Sequence, residues 1–353
     1  MELIEILNKF EKSKIKAGDG RKEGDYPLYT CSPKVNKFLD NYLYDTEAII
    51  LSTGGNPVIN YHKGKFSYSS DCLVVKSNGK FENKYIYYYL ISKINEIGKM
   101  FRGAGLKHLN KKEFFKMNIE LINLEEQKKI IKELDLINKL MDYKRKQIKL
   151  FDDYIKSQFV EMFGNGNYPK IQLKEVLNQK QQVEKVENTK LERFVTVGIN
   201  GKGARERIIK DEKWPVPFVG YRVKGGQFIY SRIDARNGAF AIIPNYLNNA
   251  VVSKDFPIFD IDYNKIKPDI LLFSLLEESF IDIIKNSSFG ATNRQRIKEG
   301  TFLNYKIYLP PITLQNQFSE IVKQIDKQKF ESMIQLKMIE KIYNIINDRR
   351  RYV

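Results

Sequence analysis

Two stretches combine glycine with basic and neutral hydrogen-bonding side chains, the residue types that hold phosphate oxygens. The first is Phe101-Arg102-Gly103-Ala104-Gly105-Leu106-Lys107-His108, and the second runs from Gly290 through Thr292, Asn293 and Arg294 to Arg296. Glycine lets a backbone amide come close to a phosphate, and neighbouring Lys and Arg side chains neutralise its charge. The same residues would serve an ordinary turn equally well. The stretches Ser52-Thr53-Gly54-Gly55 and Tyr230-Ser231-Arg232 offer hydroxyls and amides of the same kind, or cap their own turns. Lys202, Arg205, Arg207 and the pair Tyr221-Arg222 are candidates for reading base edges, since Arg commonly pairs with guanine. Tyr29, Ser32 and Lys34 join them, and Lys63 and Lys65 could flank the groove. For any one of these, solvated charge or local turn bonding is the commoner outcome.

Catalytic chemistry is not expected. His62 and His108 are the only histidines and fall in different elements, so a two-histidine metal site is not expected. There is no Gly-x-x-x-x-Gly-Lys-Ser/Thr phosphate loop. Phe163-Gly-Asn-Gly follows a helical pattern rather than a strand and reads as a linker, not as a cofactor-binding glycine turn. The pairs Asp152-Asp153 and Glu277-Glu278 sit on predicted helices as solvated charge. Lys144-Arg145-Lys146 reads as an exposed helix face. Arg349-Arg350-Arg351 would complement the negative end of the last helix.

Composition points the same way. The chain has 353 residues, a formal net charge of +17 and 42% hydrophobic residues, which describe a globular protein of about two domains with a polyanionic partner. An anionic membrane surface is the rival partner, but no apolar run approaches the ~20 residues that a span needs. The first residues, MELIEILNKFEKSK, lack the features of a signal peptide. Cys31 and Cys72 are the only cysteines, so a reducing, cytoplasmic setting is expected.

The elements that must position these residues follow a repeating plan. Residues 124–163 contain no Gly and no Pro, and Ile130, Leu134, Ile137, Met141, Ile148, Phe151, Ile155 and Met162 recur at three and four, with Lys144 and Gln158 as polar interruptions. That spacing predicts a coiled-coil helix of roughly 60 Å. A second such helix follows from Leu314, with Phe318, Ile321, Ile325, Ile339, Ile342 and Ile346 in one frame and Gln328, Ser332 and Gln335 between them. Each helix follows a segment rich in strand patterns, and the two segments resemble each other. MELIEILN at residue 1 matches IQLKEVLN at 171, Ser52 faces Tyr230, Gly103 pairs with Gly290, and Gln127 pairs with Gln317. The expected fold is α+β: recognition-type domains at 1–123 and 164–313, long helices at 124–163 and 314–353, related as an internal pseudo-twofold repeat with the helices antiparallel.

This order is similar to the specificity subunit of type I restriction-modification enzymes. Three stretches carry the resemblance: Gly103-Ala-Gly-Leu-Lys-His-Leu-Asn-Lys-Lys-Glu-Phe followed by Ile119-Glu-Leu and Glu126-Gln127; the junction Glu161-Met-Phe-Gly164; and Gly290-Ala-Thr-Asn with Ile307-Tyr-Leu-Pro-Pro and Gln317. The resemblance implies a non-catalytic subunit without a cofactor of its own. Each globular segment would be a target-recognition domain reading one half of a split, asymmetric site in double-stranded DNA. The helices would act as spacers and dock two DNA-adenine methyltransferase subunits, which use S-adenosylmethionine. A motor-nuclease restriction subunit using ATP and Mg could join the complex. Two other classes remain open on the residues alone: a self-contained nuclease, which would cut DNA unaided, and a coiled-coil scaffold, which would bind only proteins.

Overall fold

The computed structural model describes residues 1–164, 166–179, 182–287 and 296–349. The chain divides into two compact units, one made of Met1–Lys146 together with the chain from Met333 onward, the other of Gln147–Ser332. Each unit thus takes one globular segment and part of both long helices.

In the first unit the strands are β1 (Leu7–Lys9), β2 (Tyr26–Tyr29), β3 (Phe38–Leu39), β4 (Tyr44–Ser52), β5 (Ile59–Tyr68), β6 (Cys72–Ser77), β7 (Phe101–Arg102) and β8 (His108–Leu109). Helices α1 (Asn83–Ser92), α2 (Ile94–Lys99) and α3 (Lys111–Phe115) complete the globular part. The main sheet has the order β1-β6-β4-β5-β2-β3, with β4 antiparallel to both neighbours and β2 parallel to β5. Both faces of β4 and β6 are buried, which explains their continuous apolar runs. Ile49, Leu51, Leu73 and Val75 face the core that also holds Phe81, Ile86, Leu90 and Phe114. Ala48, Ile50, Cys72 and Val74 face a second core with Tyr29, Phe66 and Tyr68. A single antiparallel bridge joins Asn118 to Glu2.

Helix α4 spans Leu124–Phe163. Asn123 starts it by accepting a bond from Glu126 N at 2.9 Å, and Glu125 and Glu126 favour its positive end. Gly164 ends it. The second unit contains β9 (Lys170–Gln172), β10 (Leu177–Asn178), β11 (Glu184–Val186), β12 (Val195–Val197), β13 (Ala204–Glu206), β14 (Phe218–Arg222) and β15 (Phe228–Tyr230). It continues with β16 (Phe240–Ile242), β17 (Val251–Ser253), β18 (Ile258–Ile261), α5 (Pro268–Leu276), α6 (Glu278–Ser287), α7 (Glu299–Asn304) and β19 (Lys306–Tyr308). Its sheets are β10-β18-β15-β16, β11-β14-β17, the hairpin β12-β13 and the pair β19-β9. Helix α8 (Ile312–Arg349) follows Pro310-Pro311.

Within each unit the long helices run antiparallel. In the second, Phe159 meets Phe318, Gln147 bonds Ser332 and Lys329 pairs with Asp152. In the first, Arg145 pairs with Glu340 at 3.1 Å. The expected seam of α4 is buried or half-buried at every named position, including Lys144 and Gln158. The expected frame of α8 is corrected at Gln328, Gln335 and Ile342, which are exposed. Phe318, Ile325, Ser332, Ile339 and Ile346 face inward, but Val322, Lys329, Leu336 and Tyr343 alternate with them, and Ile342 is 50% exposed. Adjacent apolar residues, Ile321 beside Val322, allow either frame, and packing chooses.

The two globular parts share a hydrogen-bond plan that fixes how they correspond. Leu3 N donates to Met117 O as Leu173 N donates to Tyr305 O, each at 2.9 Å. Asn78 N donates to Ile6 O as Asp262 N donates to Val176 O, again each at 2.9 Å. Gln127 is fully buried: its Oε1 accepts from Glu82 N, the residue before α1, at 2.8 Å, and its Nε2 donates to Ile122 O. Gln315 does the same for Lys267 N, before α5, at 2.9 Å. Gln127 therefore corresponds to Gln315, and the expected partner Gln317 is exposed. Two glutamines so close in sequence cannot be told apart until the helix phase is known.

Candidate nucleic-acid interface

The strand-end and glycine-loop candidates, far apart in sequence, meet at one edge of the first unit. Thr53 N and Oγ1 both donate to Asp71 O, at 2.8 Å each, and Thr53 O accepts from Leu109 N at 3.0 Å. Gly54 bridges to His108, and Gly55 N donates to Lys107 O at 2.9 Å. Gly55 has φ +77, open to glycine and strained for other residues. Gly103 has φ +146, and a Cβ there would lie 2.6 Å from Leu106 O, so this loop can close only on glycine. Closure leaves Leu106, Lys107 and His108 exposed. Cys31 donates to Asp71 O at 3.2 Å and brings Ser32 and Lys34 to the same edge. The result is a cleft lined by Cys31, Pro33, Gly54, Asn56, Leu106 and His108, with Asp71 at its wall. Lys34 and Lys107 are exposed, and Arg102, also exposed, pairs with Glu113 at 2.6 Å.

Other candidates of this unit are engaged elsewhere. Ser52 is buried; its Oγ donates to Asn56 O and accepts from Val58 N, so it closes its own turn. Tyr29 is buried with its hydroxyl 3.0 Å from His62 Nδ1, and burial pushes its pKa up. His62 is pushed down by the same burial, so it is neutral at pH 7 and no phosphate cation. Ser32 Oγ accepts from its neighbour Lys34 N. Lys63 pairs with Glu47 at 2.9 Å, while Lys65 lies 4.8 Å from the centre of the Tyr42 ring. Lys63 and Lys65 sit on β5, away from the Gly54 turn in the pairing register.

The second unit repeats the strand-end bonds. Arg232 N donates to Asp255 O at 2.9 Å and Arg232 O accepts from Ile297 N at 3.0 Å. Thr53 therefore corresponds to Arg232, and Ser52 to Ser231 rather than to Tyr230. Here too the buried residues are corrections to the expected contacts. Tyr230 is wholly buried, donates to Ile297 O at 3.1 Å and has its pKa raised by burial. Ser231 is buried and caps the turn by accepting from Asp234 N. Tyr221 is buried in the core around Val223 and Ile229. Arg232 is paired with Glu299, and Arg296 with Asp255 at 3.1 Å. Gly290, Thr292, Asn293 and Arg294 lie outside the described residues.

Arg222 is the clearest correction. Its guanidinium spends its donors on Glu184, Glu192 and Asn249 O, with Glu184 at 2.6 Å and Glu192 at 2.9 Å. The two carboxylates raise its pKa further, and in return hold Glu192 below the usual carboxylate range. No donor is left for a base edge. Lys202, Arg205 and Arg207 are exposed around the β12-β13 hairpin. Thr196 faces Arg205 across the ladder, Val195, Val197 and Ala204 anchor it in the core, and its tip is tied by Asn200 N to Asn237 O at 2.7 Å. A short ribbon of this kind, basic outside and apolar inside, is a shape that fits a DNA groove.

A basic loop at Lys12, Lys14 and Lys16, not among the expected contacts, also reaches this edge. Ser70 N donates to Ile15 O at 2.7 Å, which sets these exposed lysines beside the Asp71 turn. Their alternation in the sequence was the available signal. Among the described residues no group of three or more acidic, His or Cys side chains could hold a metal, and no helix is long and apolar enough to cross a membrane.

Comparison with known proteins bears on this duplicated edge. The family model for the type I restriction modification DNA specificity domain matches residues 1–150 and 154–341. The chain is 26% identical over 137 residues to the EcoDI type I restriction enzyme specificity subunit of Escherichia coli; that match covers 39% of this chain and 30% of the relative's length. It is 23% identical to the MjaVIII specificity subunit of Methanocaldococcus jannaschii over 93% of this chain and 86% of that one. The S subunit of a type I system from M. genitalium has a similar fold, with a TM-score of 0.63, 14% identity and coverage of 99% of this chain and 95% of that one. A chain from a type I R-M complex gives 0.52 at 13% identity, over 99% of this chain and 96% of that one.

Proposed function

Because the chain belongs to the type I restriction-modification DNA specificity domain family, we propose that it is the non-catalytic subunit that gives such a complex its DNA sequence preference. Each unit reads one half of a split, asymmetric site. The observation that carries this reading is the duplication of one strand end, held by the same pair of backbone bonds at Thr53 and at Arg232. In the first unit the contacts fall to Gly54, Gly103, Lys34, Arg102, Lys107 and His108, with Lys12, Lys14 and Lys16 beside them. In the second they fall to Lys202, Arg205, Arg207 and Arg296. Phosphate contacts fix position, and the loops and the ribbon discriminate bases.

Methylation and cleavage belong to partners. Two DNA-adenine methyltransferase subunits bring S-adenosylmethionine, and restriction subunits bring ATP and Mg. The long helices supply docking surfaces: Leu136, Leu140 and Tyr143 of α4 are exposed in the first unit, and Leu150, Tyr154 and Phe330 in the second. Apolar side chains repeated along an exposed helix face mark a protein interface. The working compartment is the cytoplasm. The test is binding of the purified complex to duplex DNA across a salt series. Steep salt dependence that flattens when Lys107 and Arg205 are replaced supports the reading, and salt-independent or absent binding refutes it.

A further inference from the structure

The turn between β5 and β6 and its counterpart between β17 and β18 place an aspartate at the same point. In the first unit Cys72 N donates to Ser69 O, and in the second Phe256 N donates to Ser253 O, each at 3.0 Å. The third residue of each turn is Asp71 or Asp255. The backbone carbonyl of each accepts from the neighbouring strand end, from Thr53 N and from Arg232 N. The two carboxylates meet different surroundings. Asp255 pairs with Arg296 at 3.1 Å. Asp71 is exposed, and among the described residues its carboxylate has no hydrogen bond and no ion pair. Cations are not lacking: Lys12, Lys14 and Lys16 lie beside the turn, and Lys34 and Lys107 reach the same edge, all of them exposed.

A carboxylate repels phosphate, so a duplex held by these lysines must present something else at Asp71. What a duplex offers between its phosphates is base edges, and a carboxylate accepts only from an exocyclic amino group there. In the major groove thymine shows an acceptor, guanine two acceptors, and adenine an acceptor beside its amino group. Cytosine shows the amino group alone. We infer that Asp71 reads a cytosine through its N4 amino group in the half-site of the first unit, an inference that rests on the DNA-reading function proposed above. The residue is fixed before DNA arrives. Its carbonyl accepts from Thr53 N and Oγ1, each at 2.8 Å, and from Cys31 Sγ at 3.2 Å, so binding need not order the turn. Asp255 has its charge taken up by Arg296. The same turn thus presents a bare carboxylate in one unit and an ion pair in the other, and a split site read this way is asymmetric.

The test is selection by the purified complex of this chain with its methyltransferase subunits from a duplex library randomised in both halves, with the bound sequences counted. The parent chain should select cytosine at one position. Asp71→Ala should lower that preference about tenfold, the weight of one good base contact, and leave the other half unchanged. Asp71→Asn keeps the size of the side chain and should move the same position toward adenine, whose N6 and N7 match a carboxamide. Melting should be unchanged in both variants, because the carbonyl that holds the turn belongs to the backbone. A shift at a position where the parent selects another base, or a loss of preference in both halves together, overturns the inference. So does tighter binding of every sequence alike by Asp71→Ala, which would make Asp71 a solvated charge that repels phosphates. A split motif that neither variant changes overturns this inference alone. No split motif in the parent chain overturns the proposed function with it.

Discussion

Replacing Gln127 by leucine removes two hydrogen bonds from a side chain with no exposed surface, while keeping its volume nearly constant. Glu82 N loses its acceptor and Ile122 O its donor. Each partly buried backbone group left unpaired costs about 1–2 kcal/mol, so the loss is about 2–4 kcal/mol. For a folding unit of about 150–250 residues that lowers its melting temperature by roughly 4–16 °C. Gln315→Leu should cost about 1 kcal/mol more, because Gln315 also donates to the buried Pro310 O at 2.8 Å. Gln317→Leu changes an exposed residue and should leave melting unchanged. The assay is thermal denaturation followed by far-ultraviolet circular dichroism, with urea midpoints as a second measure. If Gln317→Leu destabilised the chain and Gln315→Leu did not, the correspondence of the two halves would be wrong. If neither Gln127→Leu nor Gln315→Leu moved the melt, the buried glutamines would not anchor the long helices to the globular parts.

Gly103→Ala should reduce DNA binding while changing the melt little, because the strain falls on an exposed loop where a Cβ meets Leu106 O; unchanged affinity measured by gel shift would contradict the assigned contact. Lys107→Ala should lower the slope of log affinity against log salt by about one, with no change in base preference; a changed preference would make Lys107 a base reader. Arg222→Met should destabilise the second unit by leaving Glu184 and Glu192 facing each other unneutralised, and the loss should be visible in the melt rather than in base preference. The Arg222 site also sets a pH dependence. Glu192 has a folded pKa below its ordinary value, so its stabilising contribution is complete above that ordinary value and disappears as pH falls through the folded one. Melts between neutral and acid pH should show a larger loss in the parent chain than in Glu192→Gln, which keeps the loss due to Glu47, held low by Lys63.

Helix α4 was legible because forty residues without a breaker carried an unbroken apolar repeat in a single frame. Helix α8 was legible as a helix but not in phase, since Ile321 and Val322, or Ile342 and Tyr343, satisfy either frame. The duplication was legible from weak matches in a fixed order, yet its register at Ser231 and Gln315 needed the hydrogen bonds. Site residues were least legible. Arginine type alone marked Arg222 and Arg232, but Glu184, Glu192 and Glu299, which take up their charge, come from a remote strand, a remote loop and a remote helix. Hydroxyl type alone marked Ser52, Tyr221 and Tyr230, which the folded strands turn inward. Lys34, Lys107 and Arg205 fall on exposed turns or a ribbon, where side chains have no packing partner to claim them.

The most direct test of the central claim is base-by-base mapping of methylated adenine in DNA from cells making this chain together with its methyltransferase subunit. Modified adenines in a two-part motif with a fixed unspecified gap, changed in one part only by altering Lys107 or Arg205, are the expected result. A continuous motif, or modification that does not depend on this chain in an assembled complex, would contradict it.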